Sequence, residues 1–333
     1  MAGQNDTLTR HVVAIATGEH VTAAVFLGEA PALALGDGSI RLGWGQGARA
    51  VPAHPDAAIL VAAADGRRMV TGGDDGRVVL TDAEGGLTVL AEEPGRWIDA
   101  VALGPNGSAA WSFSRTVRAR DAKGTVRSLA APSSSRGLAF APKGYRLALS
   151  HVDGASLWFP NTEAAPEKLD WKGVHLDITW SPDGRFVVSS MQENQLHGWR
   201  LPEKTHMRMS GYPAKTRSLS WSSDGEWLAT SGAEAAIIWP FSGTGPMGKA
   251  PRECGVRPHR VTRCAFHPKA LVLAIGYEDG LVMLVRLTDA SELLVRNAEA
   301  GGAITALAWD GAGNRLLFGT EDGAAGLLTL PGS

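Results

Sequence analysis

LDITWSPDGRFVVSSMQENQLHGW (176–199) and RSLSWSSDGEWLATSGAEAAIIW (217–239) are two copies of one pattern. A short strand ends in an aromatic residue. A turn of Ser, Asp and Gly follows, then a second apolar strand, another turn and a third strand. In the first copy Leu176, Ile178 and Trp180 alternate with Asp177 and Thr179. That period of two sends alternate side chains to opposite faces of a strand. The turns SPDG and SSDG supply the residues that reverse a chain.

The same pattern extends in both directions. RGLAFAPKGYRLALSHVDGASLWF (136–159) and TRCAFHPKALVLAIGYEDGLVMLV (262–285) match it, as does ITALAWDGAGNRLLFGTEDGAAGLLTL (304–330). Upstream copies occupy 57–82 and 98–121, and the weakest lies at 21–44. The turn glycines Gly66, Gly107, Gly144, Gly184 and Gly225 are 41, 37, 40 and 41 residues apart. That is the period of a propeller blade. No segment sustains a 3.6-residue period, so helix is expected to be nearly absent.

The expected fold is all-β: a closed eight-bladed β-propeller of four-stranded antiparallel blades, with seven blades as the alternative count. The whole chain, 1–333, reads as one domain of repeats at about 21–56, 57–97, 98–135, 136–175, 176–216, 217–260, 261–303 and 304–330. The last repeat has three strands, and the segment 10–18 (RHVVAIATG) is left over at the other end. It is expected to complete the last blade, because closure removes exposed sheet edges.

Composition sets the setting. There are 32 basic and 34 acidic residues, for a net charge of -2. Such a balance gives no global field for nucleic acid or an anionic membrane. Two cysteines, Cys254 and Cys264, cannot build a disulfide framework. The start lacks a basic region followed by a long apolar run, and nothing approaches a bilayer-spanning apolar stretch. A cytoplasmic protein without a membrane role is expected.

The repeats resemble those of the Trp-Asp (WD-repeat) family over nearly the whole chain. Trp44, Trp158, Trp199 and Trp239 fall where that family places its third-strand Trp. None is followed by Asp; Asp82 and Asp121 alone keep that position in their copies. The family's His–Ser/Thr–Asp–Trp hydrogen-bond network is therefore expected to be largely missing, with sheet packing holding the ring. The resemblance implies a propeller, not a particular activity.

Cys254, His259, Cys264 and His267 resemble a short zinc pattern. The repeat alignment places Cys264 at an apolar strand position, equivalent to Ile178 and Leu307. His259 and His267 then stand roughly 25 Å apart along an extended strand. A metal site using Cys254 and His259 is the remaining, weaker alternative. His20, His54 and His175 precede first strands and are expected to make turn or inter-blade hydrogen bonds. Asp74–Asp75, Glu278–Asp279 and Glu321–Asp322 each precede Gly and read as hairpin turns rather than calcium loops. GDGSIRLGWGQG (36–47) opens no helix and offers no phosphate site. No hydrolase elbow, HExxH, Walker loop or dinucleotide fingerprint is present, so no catalytic residue, cofactor or metal is assigned.

In a propeller, the loop leading into each first strand and the turn between second and third strands share one face. Those loops carry Arg96, Trp97, Arg136, Trp171, His175, Tyr212, Lys215, Arg217, His259 and Arg260. Aromatic residues and Arg dominate binding hot spots, and Trp97, Trp171 and Tyr212 are the expected exposed anchors. The expected function is a non-catalytic scaffold that binds a protein or peptide partner. An enzyme or small-ligand binder using the central channel is the alternative. Nucleic acid is a weaker partner because acidic turns interrupt the basic cluster. A closed ring is compatible with a monomer.

Overall fold

The computed structural model describes residues 7–298 and 301–332. Among them, helix is limited to three short 3-10 turns, and everything else regular is strand. The fold is a β-propeller built from antiparallel four-stranded blades. The chain divides into two compact bodies, Met1–Gly36 with Arg41–Arg49 and Thr216–Ser333, and Asp37–Ile40 with Ala50–Lys215.

Each repeat folds as its alternation dictates. The fifth runs as Phe186–Met191 and Gln195–Arg200, flanked by the strand ending at Trp180 and by Thr205–Met209. Second strands are the most buried: Phe186–Met191, Ala109–Phe113 and Ala30–Leu35 are buried almost throughout. At the end of the fifth repeat's inner strand Ile178 and Trp180 are buried and Thr179 between them is half-buried, the alternation of the sequence. Outer strands such as Leu87–Glu92 and Val126–Ala130 are largely exposed.

Among the described residues the strands form seven hydrogen-bonded sheets, six with four strands and one with six. Counted as continuous sheets the number is seven, the alternative count. The difference arises at one place. The six-stranded sheet carries the fourth and fifth repeats, joined where Val152 pairs with Val174. Its two long strands, Leu147–Trp158 and Glu167–Trp180, are not straight. His151 Nε2 lies 2.9 Å from Ser156 Oγ. Residues five apart in an extended strand would be roughly 16 Å apart. The chain reverses between them at Asp153 (φ 63°) and Gly154 (φ 144°). Likewise His175 Nε2 reaches the Trp171 carbonyl at 2.9 Å, which bends the second strand around Gly173 (φ 130°). Two four-stranded ladders are thus fused without a break.

In the first body, Val12–Ala16 pairs antiparallel with Ala324–Thr329, from Val12↔Leu328 to Ala16↔Ala324. The sheet order places this N-terminal strand outside the three strands of the last repeat, as the leftover segment implied. Val12 packs against the core that holds Phe318 and Leu328, and Ile15 against the one that holds Val21 and Leu317. Leu8 is buried as well.

Neighbouring repeats join through apolar layers and through inner-strand polar groups. In the second body Val70, Val78, Ile98 and Trp111 form one layer, and Ala155, Leu157, Ile178 and Trp199 another. The aromatic ends of first strands act as staples. Trp180 Nε1 donates to the Ala139 carbonyl at 3.0 Å, and Trp309 Nε1 to the Ala265 carbonyl at 3.1 Å. Hydroxyls bridge the same strands: Thr262 Oγ1 donates to the Ile304 carbonyl, Thr305 Oγ1 to that of Val21, and Ser150 Oγ to that of Leu176.

Deletion of residues 1–18 is expected to destabilise the protein as a whole, by on the order of 5 kcal/mol, since it bares a sheet edge and several apolar side chains. Urea unfolding monitored by circular dichroism checks this. A truncated chain that unfolds at the original midpoint would show the strand to be dispensable.

Candidate interaction rim

Acids in the turns between second and third strands define the geometry of this region. Asp74 Oδ1 accepts the Ala58 N–H at 2.8 Å, and Glu193 accepts the Val174 N–H. Glu278 Oε1 accepts the Arg260 N–H, and Glu321 Oε1 the Ala303 N–H. Each carboxylate ties the loop before a first strand to the second-to-third turn of the same repeat. The next acid closes the turn, with Asp75 accepting from Arg77 and Asp279 from Leu281. The following Gly takes positive φ, as at Gly76 (77°), where a Cβ would stand 2.1 Å from the Glu93 carbonyl oxygen. The hairpin reading of these pairs matches this arrangement.

These ties run on from repeat to repeat within each body. In the second body Ile98 N–H donates to Gly73, Ser114 N–H to Asp99, and Ser112 Oγ to the Ser135 carbonyl. Val152 N–H then donates to Ser133 Oγ, Gly173 N–H to Asp153, and Asn194 Nδ2 to the Pro213 carbonyl. A continuous hydrogen-bonded rim results. It carries Arg96, Trp97, Arg136, Trp171, His175, Tyr212 and Lys215. The first body has its own rim. There Arg217 N–H donates to Ser231 Oγ, Arg257 N–H to Glu234 and Arg260 N–H to Glu278. That rim carries Arg217, His259 and Arg260.

The expected residues differ in what they offer. Trp97 is 70% exposed, flanked by exposed Arg96. Arg136, Lys215 and Arg217 are exposed, and Trp171 is half-buried. Two expectations need correction. Tyr212, expected as an exposed anchor, is 8% exposed, and His175 is 2% exposed with both ring nitrogens engaged, by Ser189 Oγ and the Trp171 carbonyl. The apolar bodies of these rings follow the chain into the interior as it enters the next strand. Arg260 is ion-paired with Glu278 at 3.2 Å, and half-buried His259 lies 3.6 Å from Asp279.

The polar network expected to be largely missing survives in the second repeat. His54 is fully buried. Its Nδ1 donates to Asp75 at 3.1 Å, and its Nε2 accepts from Thr71 Oγ1 at 2.8 Å. Burial holds its pKa below the usual histidine value, and Asp75 opposes that only in part. Thr81, two strands out, stands where the indole would be. The fifth repeat keeps His175, Ser189 and Trp199 together. Burial lowers the His175 pKa, against the pull of the Trp171 carbonyl.

The sequence did not expose Glu93. It is 6% exposed, accepts from Trp111 Nε1 at 3.0 Å and pairs with Arg118 at 2.8 Å. A buried acid beside Pro94 carries no local signature. Cys264 lies in the apolar core, and burial pushes its thiol up. Cys254 is half-buried and is shifted up for the same reason. Among the described residues no group of three or more His, Cys, Asp or Glu is arranged to hold a metal ion. No helix among them is long and apolar enough to cross a membrane.

Two family models match parts of the chain. Residues 204–239 match the WD domain, G-beta repeat, and residues 264–330 match the anaphase-promoting complex subunit 4 WD40 domain. A stretch of 112 residues is 32% identical to the meiotic recombination protein rec14 of Schizosaccharomyces pombe. These matches support a WD-repeat protein. The rec14 match spans 32% of this chain and 36% of that protein, about a third of each. The crystal structure of the computationally designed Ika8 protein superposes on it with a TM-score of 0.77 at 17% identity. That superposition covers 95% of this chain and 98% of the designed one, and shows the fold alone. A WD-repeat propeller is consistent with a protein-binding scaffold.

His54→Ala is expected to cost about 2–4 kcal/mol, since it strands a buried hydroxyl and leaves a cavity. Chemical denaturation at pH 8 checks this. A loss below about 0.5 kcal/mol would mean the network adds nothing to the fold.

Proposed function

We propose that this chain is a non-catalytic scaffold that binds a protein or peptide through the rim of the second body. The observation that carries the reading is Trp97. A large indole left 70% exposed beside Arg96 keeps most of its surface free of the propeller's packing. Trp and Arg are the residues most enriched where binding energy concentrates. Arg136, half-buried Trp171, Lys172 and Lys215 extend the same rim. Tyr212 and His175 support it from beneath. The tied loops form a pre-organised surface, which lowers the ordering cost of binding. Arg217, His259 and Arg260 make a second, separate patch on the first body.

The rim's carboxylates are held by backbone N–H groups, which supports a binding role over acid–base chemistry. The repeat array, 1–333, is read as one module acting in the cytoplasm. The name of rec14 describes that protein; this chain shares repeats with it and takes no partner from the name.

The test compares partners captured by the intact chain, by a Trp97→Ala/Arg136→Glu/Lys172→Glu rim variant, and by a Leu87→Ser/Val126→Ser outer-strand control. The rim variant is expected to lose partners at least tenfold, and the control to keep them. Loss in the control alone, or identical lists from all three, would place the interaction elsewhere.

A further inference from the structure

The fifth repeat holds a group that the interaction reading leaves unused. His197, on Gln195–Arg200, is 0% exposed, and among the described residues neither ring nitrogen has a hydrogen-bond partner. Leaving a buried polar group bare costs about 1–3 kcal/mol, so such groups call for an explanation. Rings surround it. Trp171 stacks on it at 4.0 Å with planes 14° apart, and His206 follows at 5.3 Å. Trp199 meets it edge-on at 4.9 Å, and His175 at 6.4 Å.

The charges around this stack do not favour a proton. The fourth strand, Thr205–Met209, contributes His206 and Arg208, and Arg208 is turned to Gln195 Oε1 at 2.6 Å. The second strand contributes Ser189, whose hydroxyl reaches the His197 carbonyl and not its ring. On its own strand Arg200 pairs with Glu203. The segment 167–180 brings His175, with Asp170 and Lys172 exposed to solvent. Asp153 and Glu193 are held by the N–H groups of Gly173 and Val174. A charged His197 would face burial and like charge with no carboxylate in the stack.

We propose that this stack is an acid-triggered release: a proton on His197 breaks the Trp171–His197–His206 stack and frees segment 171–174 from the rim. It concerns a residue of the interaction rim and deepens that reading, yet it operates with or without a partner. Burial first, then His206, His175 and Arg208, hold the His197 pKa down to about 3, from an ordinary 6.5. The unfolded chain therefore takes up the proton first. The stability supplied by the neutral ring is full above pH 6.5 and is lost as pH falls toward about 3. Across that window each pH unit lowers the folding equilibrium constant by up to about tenfold.

The test is urea unfolding of the full chain from pH 7.5 to 4.5, with His197→Phe beside the native protein. Phe keeps a flat ring against Trp171 and cannot take a proton. The stability of the variant relative to the native chain is expected to rise up to about tenfold per pH unit below 6.5. Parallel profiles overturn the proposal. Carbon-labelled histidine NMR on the native chain tests it even if the variant does not fold. A His197 ring still neutral at pH 5 supports it, and one that titrates near 6.5 in the folded protein overturns it. Hydrogen exchange over 167–180, corrected for intrinsic rate, is expected to lose protection at pH 5, because open molecules take up the proton and become more numerous while the closed majority keeps a neutral ring. Unchanged protection overturns the release. None of these readouts uses a partner, so their failure and the failure of the rim test are distinguishable.

Discussion

A four-stranded sheet has two apolar faces and cannot hide either by itself. Nearly everything in this chain follows from that constraint. The alternation of Leu176, Ile178 and Trp180 produces a strand whose faces must meet other sheets. The second strands, flanked on both faces, are buried almost throughout. The layers between repeats are therefore the core, and the core is divided into several clusters. A terminal strand left unpaired would expose its neighbour's edge, and the pairing of Val12–Ala16 with Ala324–Thr329 removes that exposure. It also makes the two ends of the chain depend on each other.

Polar groups complete what apolar layers begin. The indoles of Trp180 and Trp309 serve two purposes at once. Their rings fill space at the ends of inner strands, and their N–H groups satisfy carbonyls of the preceding repeat. Carboxylates at the opposite end of each strand do the equivalent work for loop N–H groups. Loops that would otherwise fray are thus fixed by charge-assisted bonds. A rigid rim is a consequence of satisfying the backbone, and an exposed Trp upon it stands out because the rest is so fully engaged.

The sequence made the repeats, the closing strand and the buried place of Cys264 legible because each rests on period and position. Other features depend on small geometry that letters do not carry. The fusion of the fourth and fifth repeats turns on one extra pairing, Val152 with Val174. Reading the Trp-Asp dipeptide as the mark of the polar network hid its survival at His54, where Thr71 and Asp75 suffice without an indole. Tyr212 and His175 occupy loop positions by number but point inward. Exposure of a loop residue depends on which way its chain turns next, and that is settled by the neighbouring repeat.

His197 shows why such departures cluster. A satisfied histidine, like His54, stiffens a blade and is useful at any pH. An unsatisfied one weakens the blade, and does so more as protons become available. An apolar side chain of similar size at this buried position would leave no polar atom unsatisfied and would be more stable. The ring instead sits under Trp171, at the point where the chain leaves one ladder for the next. A conformational fault placed in a fused, doubly bonded segment would be held shut by both ladders until the buried ring is charged. The location of the weakness, and not its size alone, is what couples it to the rim.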